Sequence, residues 1–401
     1  MRVVRVDSKP TEKRFLDFPR RLYRNDPNFV IQFDSEVKKA FNRKVNSYFQ
    51  HGDAQRWIVV NDQNRTVGRI AAFYDRNKNE ADDVLSGGCG FFESVDDRQV
   101  ASLLFDTAKA WLGENGYEAM TGPINFGEND SNWGCLVQGF LPPAIGMTYN
   151  LPYYRNLFES YGFNLYYRQL SFQLDLDKPF PERFYKIAEW INNREGYSFQ
   201  HFDLKNVSKF VADTVSIYND AWRPLREDHT PMDPDSLHDA LRKARPILDP
   251  EFIWFAYKDN KPIAFFMFLP DANQIFRHLN GKMHLVNKLR FLLHKRRKSI
   301  TRARGTAAGV VPKYQNSGVE SGIFWQMRQV MDKRPHYKHF ELSWVGDFNS
   351  KMIALYQATG AHHTKTHHTY RYLFDREKPY KRFMEESVDE SQLPPESLVK
   401  D

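Results

Sequence analysis

The residues with the clearest chemical pattern lie in the second half of this 401-residue chain. The stretch Val310-Val-Pro-Lys-Tyr-Gln-Asn-Ser-Gly318 falls between a predicted strand and a predicted helix. A strand that turns directly into a helix aims free backbone N–H groups at one point, where the helix dipole also favours negative charge. Such a turn suits a diphosphate, and Gly318 allows both close approach and a positive φ. Downstream, Asn349, Met352, Tyr356 and Gly360 are spaced three, four and four apart, which puts Met352 and Tyr356 on one helix face. His362, His363, His367 and His368 form a cluster, but no carboxylate or cysteine pattern accompanies them. No metal is therefore expected.

These residues need a frame, and the chain supplies the same one twice. Trp57–Val60 and Val67–Phe73 read as a hairpin, as do Phe252–Tyr257 and Pro262–Phe268, with Trp57 and Trp254 separated by 197 residues. Each hairpin is followed by strand, helix, strand, helix and strand. Gly162 and Gly360, which end the second helix of each set, lie 198 apart. The spacing drifts in between, because the first half inserts a 26-residue loop at Asn125–Asn150 and the second inserts a basic segment. The order predicts an α/β fold (α+β mixed sheet) in two tandem domains, each a partly antiparallel sheet covered by helices. The expected boundaries are 1–178, 179–384 and an acidic, disordered tail at 385–401.

The Val310–Gly318 and Asn349–Gly360 motifs resemble those of the GNAT superfamily of acyl-CoA-dependent acyltransferases. Val310, Pro312, Tyr314, Gln315, Gly318, Asn349, Tyr356 and Gly360 match, whereas Glu320 stands where the superfamily usually has Gly or Ala, and Ala361 where Phe is usual. The resemblance implies acetyl-CoA or a longer acyl-CoA as co-substrate. Backbone near Val310 and Val311 would pair with pantetheine, and Gln315, Asn316, Ser317, Gly318 and Ser321 would cradle the diphosphate, with Asn349 beside them. Tyr356 would act as general acid at the thioester sulfur. Glu341 and Asp347 are the candidates for general base, and either could equally be a capping or paired carboxylate. The acceptor would approach beside Trp222 and His229.

At the equivalent junction the first half reads Glu93-Ser-Val-Asp-Asp-Arg98, with Asp96 and Asp97 at the turn and no glycine, and Phe158 takes the tyrosine position. This half is expected to keep the fold without the cofactor. Its loop carries Asn125 and Tyr149, which join Trp222 and His229 as substrate candidates, and is either a functional wall or a connector. The whole pattern is similar to a bacterial family of GNAT-type acyltransferases. The shared features are Arg24–Pro27, Gly68–Ala72, Gly90–Glu93, Gly122-Pro-x-Asn, Tyr149–Tyr154 and Trp344–Asn349, spanning nearly all of residues 1–375. Some of its members are thought to acylate long-chain sphingoid bases.

Charge narrows the partners. The chain carries +7, yet the acid-free stretch from Ala272 to Val319 holds eleven positive residues, which leaves −4 for the remainder. A general nucleic-acid binder would spread its charge, so nucleic acid is not the expected partner. Lys282–Lys298 mixes these charges with leucines and reads as a basic amphipathic helix. It is either a contact for an anionic membrane or a helix packed across the domains. No apolar run is long enough to span a bilayer, and two cysteines make no disulfide framework. These features suit a cytoplasmic protein, peripheral at the inner membrane surface if the basic segment docks there. Two alternatives stay open: a tRNA-dependent aminoacyl or peptidyl transferase of tandem type, and a non-catalytic acyl-CoA or lipid-binding module.

Overall fold

The structure, a computed structural model, describes residues 1–78, 84–129, 131–222 and 232–384, without the Trp222 side chain. The first half opens with β1 (Arg2–Arg5), α1 (Lys9–Leu22) and α2 (Asp34–Ala40), followed by the hairpin β2 (Gly52–Val60) and β3 (Thr66–Asp75). Then come β4 (Ser86–Ser94), α3 (Arg98–Glu114), β5 (Ala119–Gly122), a short β6 (Cys135–Gln138), α4 (Tyr154–Tyr161) and β7 (Asn164–Asp175). The second half adds α5 (Glu182–Asn192) and β8 (Tyr197–His201), then α6 (Val207–Trp222), α7 (Pro234–Ala244), and the hairpin β9 (Ile253–Lys258) and β10 (Lys261–Pro270). It continues through α8 (Asn273–Phe276), α9 (Leu285–Arg296), β11 (Arg302–Val310), α10 (Val319–Asp332), β12 (His339–Gly346), α11 (Ser350–Ala358) and β13 (His362–Leu373).

Local chemistry sets many of these boundaries. Ser8 and Thr11 form a reciprocal capping box at the start of α1, and Gly162 ends α4 in the left-handed conformation. Both predicted hairpins are present, and α3 begins and ends at the expected residues. The strands join in one mixed sheet in the order β1-β2-β3-β4-β5-β13-β7-β12-β11-β10-β9-β8, with β6 beside β13. A pseudo-twofold relation passes between β13 and β7. Among the described residues, β4–β5 and β11–β12 are the parallel pairs, one in each half.

The closing strands are exchanged. β7 comes from the first half but pairs with β12, while β13 from the second half pairs with β5. Phe172 and Leu174 of β7 therefore sit in the second-half core with Phe340 and Phe324, and Tyr370 of β13 sits in the first-half core with Phe158 and Phe105. Burying a side chain the size of Phe172 contributes roughly 1.5–3 kcal/mol, so each half is stabilised substantially by the other's strand. The 178/179 boundary falls between elements of the chain, but the sheet does not divide there.

Candidate functional site

The second half forms a wedge where β11 and β12 part. They pair from Arg302–Gly305 to His339–Leu342, after which β12 stays with β7 and β11 stays with β10. Beyond the split, the β11 edge is reachable at Ala307, which is exposed, and at the half-buried Ala308. Val310 is in the core, and Val311 continues the hairpin pairing through its N–H to the Ile263 carbonyl at 2.9 Å.

The turn that follows has the open geometry a diphosphate needs. Asn316 and Gly318 both have positive φ, 63° and 85°, and Gly318, the cap residue of α10, has no side chain to accept from the first N–H groups. Ser317 donates its hydroxyl to the Tyr314 carbonyl at 2.6 Å, which fixes the turn. Ser321 is buried in the first turn of α10. Lys351 of α11 donates to Gln315 Oε1 at 3.2 Å and brings an ammonium to the rim. Ile187 of α5, a helix not predicted from the sequence, closes over Gly318 so that a Cβ there would lie 2.7 Å from it. Glu320 also sits in the first turn, and burial raises its carboxyl above the usual range.

Tyr356 is half-buried beside this wedge, its ring 5.7 Å from that of Phe172. Its hydroxyl has no hydrogen-bond partner among the described residues. Burial raises its pKa, while the nearby Arg304 guanidinium opposes the shift, so the phenol is protonated at neutral pH. The two carboxylates named as bases are otherwise engaged. Glu341 is buried, 2.7 Å from Lys365 Nζ and 3.2 Å from Arg302 Nη1. These cations outweigh desolvation and hold its carboxyl at about 2. Arg302 also clasps Asp271 at 2.6 Å, and the network pins the 125–150 loop through the Pro142 and Ile145 carbonyls. Asp347 pairs with Arg382 at 2.5 Å. Asn349 accepts from the Met352 N–H as the cap of α11. Glu341 and Asp347 thus have the paired-carboxylate role, and Asn349 has a capping one.

The first half differs at each of these points. Asp97 caps α3 by accepting from the Gln99 and Val100 N–H groups at 2.8 and 3.4 Å, so a side-chain carboxylate occupies the place of an anionic ligand. Its own wedge, where β4 and β5 part after Gly88 and Thr121, opens into a cavity of about 120 Å³. At its wall, Gly90 approaches the Ile124 backbone so closely that a Cβ would lie 1.8 Å from the carbonyl oxygen. Phe91 next to it has φ 50°. Glu93 Oε2 accepts from Tyr23 at 2.7 Å and from Tyr154 at 2.6 Å, while Oε1 lies 3.5 Å from Arg69. Burial raises the Glu93 carboxyl, and Arg69 opposes that shift.

The sequence-predicted acceptor residues separate. Asn125 and Tyr149 both line the first-half cavity, and Tyr149 donates to Asp26 at 2.8 Å. The Trp222 backbone ends α6, and His229 lies outside the described residues. Glu93 was visible in the sequence only as the end of a family-like motif. Its phenol partners come from residues 70 earlier and 61 later, a distance no local pattern spans.

Two further features bear on partners. The face of α9 is inverted: Asn287 and Phe291 are buried, whereas Leu285, Val286, Leu289, Leu292 and Leu293 are 74, 54, 55, 54 and 53% exposed. The four histidines are distributed along β13, with His363 near Thr366, His367 against the Thr148 carbonyl and His368 near Tyr370. Among the described residues no cluster of three or more potential metal ligands occurs, and no helix is long and apolar enough to cross a membrane.

No protein-family model matches the chain. It is 28% identical over 376 residues to the bacterial ceramide synthase of Caulobacter vibrioides, covering 92% of this chain and 96% of that one. It is 25% identical over 369 residues to protein YghO of Escherichia coli, covering 89 and 92%. Among solved structures, a tandem GNAT protein from the clavulanic acid biosynthesis pathway superposes with a TM-score of 0.55 at 12% identity, over 94% of this chain and 99% of that one. A GCN5-related N-acetyltransferase from Sphaerobacter thermophilus gives 0.52 at 11% identity, over 95 and 98%. The fold is that of tandem GNAT proteins.

Proposed function

We propose that this tandem GNAT protein is an N-acyltransferase that moves an acyl group from acyl-CoA to the amine of a long-chain lipid, with the co-substrate held in the second half. The observation that carries the reading is the uncapped Gly318 turn at the mouth of the β11–β12 wedge, with the Tyr356 hydroxyl beside it. Backbone N–H groups of the turn would take the diphosphate, as would Lys351 at its rim. The β11 edge near Ala307 would take the pantetheine arm. The amine nitrogen attacks the thioester carbonyl, a C–N bond forms, the C–S bond breaks, and Tyr356 gives its proton to the departing thiolate. The proton lost by the amine goes to water or to a group outside the second half, since Glu341 and Asp347 are committed to cations.

The acceptor class rests on the ceramide synthase relative and on α9. A helix on a water-facing surface normally turns its apolar stripe inward. Here the stripe faces out, Lys288 and Arg290 flank it, and Lys295–Lys298 form a basic end. That arrangement fits an anionic bilayer surface, with leucines entering the acyl boundary and cations meeting the headgroups. The protein would then work as a peripheral enzyme on the cytoplasmic face. The decisive experiment incubates the protein with acyl-CoA and amines of increasing chain length, following thiol release and amide mass. Long-chain amides should form with equimolar thiol. Equal use of small polar amines would overturn the lipid acceptor, and absence of any amide would overturn the activity. Flotation with anionic vesicles should recover the protein, and exchange of Lys295, Arg296, Arg297 and Lys298 for Gln should weaken recovery; binding that ignores both charge and salt would remove the membrane from the reading.

A further inference from the structure

The first half has lost its diphosphate cradle but kept a wedge cavity, and the cavity has a definite chemistry. Apolar side chains form one side, among them Phe29, Ile31, Val37, Phe91, Ile124 and Met147. The other side is polar. Glu93 faces the cavity with 11% of its side chain exposed, and both phenols donate to the same oxygen, Oε2. Oε1 pairs with Arg69 Nη2 at 3.5 Å and has no other donor among the described residues. The side chains of Asn125 and Asn132 line the same space and make no hydrogen bond with any described residue. A buried carboxylate whose Oε1 meets a single donor at 3.5 Å and can accept another, next to free amides and an apolar wall, is matched by a cationic head, adjacent hydroxyls and a chain.

We propose that this cavity is a ligand site for a long-chain primary ammonium, with Glu93 Oε1 as its counter-ion, Asn125 and Asn132 meeting hydroxyls near the amine, and the apolar wall taking the first part of the chain. The inference rests on the lipid-amine reading and places acceptor recognition in the half that lacks the cofactor turn. Two contacts connect this cavity with the other wedge, and a third ties it to β13. The 125–150 loop that lines it also receives the Trp344 indole N–H at the Asn129 carbonyl (3.2 Å). The Thr148 carbonyl in its wall meets His367 of β13 at 3.1 Å. Ile145 in the same loop accepts from Arg304 of β11. One loop therefore forms a wall of the first cavity and touches both strands of the second wedge.

The test is calorimetric titration of the full chain with decylamine, with decanol, and separately with CoA. Decylamine should bind more tightly than decanol. Glu93→Gln keeps the shape and removes the charge, so it should weaken decylamine by about tenfold or more, the scale of a lost hydrogen bond to a charged group. Decanol and CoA should be unaffected by that change. Val30→Trp, at a half-buried loop position in the cavity wall, should weaken both decyl ligands and leave CoA alone. If Glu93→Gln loses its cooperative melt, Val30→Trp and the amine-to-alcohol ratio decide. Decylamine binding no better than decanol, or insensitive to both variants, overturns the site. Glu93-dependent amine binding in a protein that fails to bind CoA would keep the site and overturn the acyltransferase reading.

Discussion

The two halves place a helix at the same point after the same strand and fill its N-terminus differently. In the first, Asp97 accepts from two N–H groups of α3; in the second, Gly318 caps α10 with no side chain to do so. An N-terminal helix end must be satisfied by something, and here one half uses its own carboxylate where the other has room for a ligand's phosphates. The contrast continues along the chain. Tyr356 is half-buried with an unpaired hydroxyl, whereas its counterpart Phe158 is completely buried in an aromatic core. The difference teaches that duplicated frames can diverge by exchanging a few end-of-element residues while every strand stays in place.

The sharpest way to break the comparison is to make the second half like the first. Gly318→Asp adds a side chain at φ 85°, drives it into Ile187 and sets a carboxylate against the phosphates, so CoA titration should fall from about one site per chain to none. Retention of two equal sites in the parent protein would erase the proposed asymmetry. Tyr356→Phe should leave CoA affinity intact and lower turnover about 10²–10⁴-fold, the scale of a positioned acid. Phe158→Tyr in the other half should restore none of it. A smaller effect is expected at Glu320, the remaining acid beside the open turn. Exchange for Gln removes a like charge near the diphosphate and should tighten CoA by roughly two- to fivefold, in line with helix-terminus charge effects of about 0.3–1 kcal/mol. Unchanged affinity would mean that Glu320 is already protonated in the complex.

A separate effect is expected on stability, and it has a definite sign. Burial lowers the pKa of His367 to about 4 and that of His368 to about 3. The unfolded chain therefore takes up protons first, beginning near the ordinary histidine value of about 6.5. Their contribution is complete above that pH and is lost as pH falls toward 4 and 3. Glu341, held at about 2, gives stability that is present above its ordinary carboxylate range and is lost between there and about 2. Melting temperature should decline from pH 6.5 to 4 and again below 4.5, and His367→Asn should flatten the upper limb if it folds. A melting temperature constant from pH 6.5 to 4 would contradict the buried neutral histidines.

Much of this frame was legible because it depends on local rules. The hairpins, α3, α10 and the Val310–Gly318 turn follow from periodicity, caps and a glycine at a positive-φ position. For Glu341 and Asp347 the choice between base and paired carboxylate stayed open in the sequence because their partners, Lys365 and Arg382, are cations that only the fold brings near. The α5 helix and strand β8 escaped the duplication argument, since the pattern between the halves offered no counterpart for α5. The first-half cavity was out of reach for the same reason as the exchange of β7 and β13. Both arise from pairings across the molecule, and the 26-residue loop gave no hint of which side would face a cavity and which would grip the second half.

The exchanged strands also set a schedule for making the protein. β5 leaves the ribosome well before its neighbour β13, which lies in the last forty or so residues of the chain. At about 5–20 residues per second, the first-half sheet waits on the order of ten to fifty seconds with an edge that β13 later covers. An unpaired edge of that duration is an opening for wrong partners, including the same strand of another nascent copy. The order of translation therefore makes this protein dependent on whatever shields β5 in the interval, and a stop codon anywhere before residue 362 removes a strand from the first half as surely as it removes the end of the second.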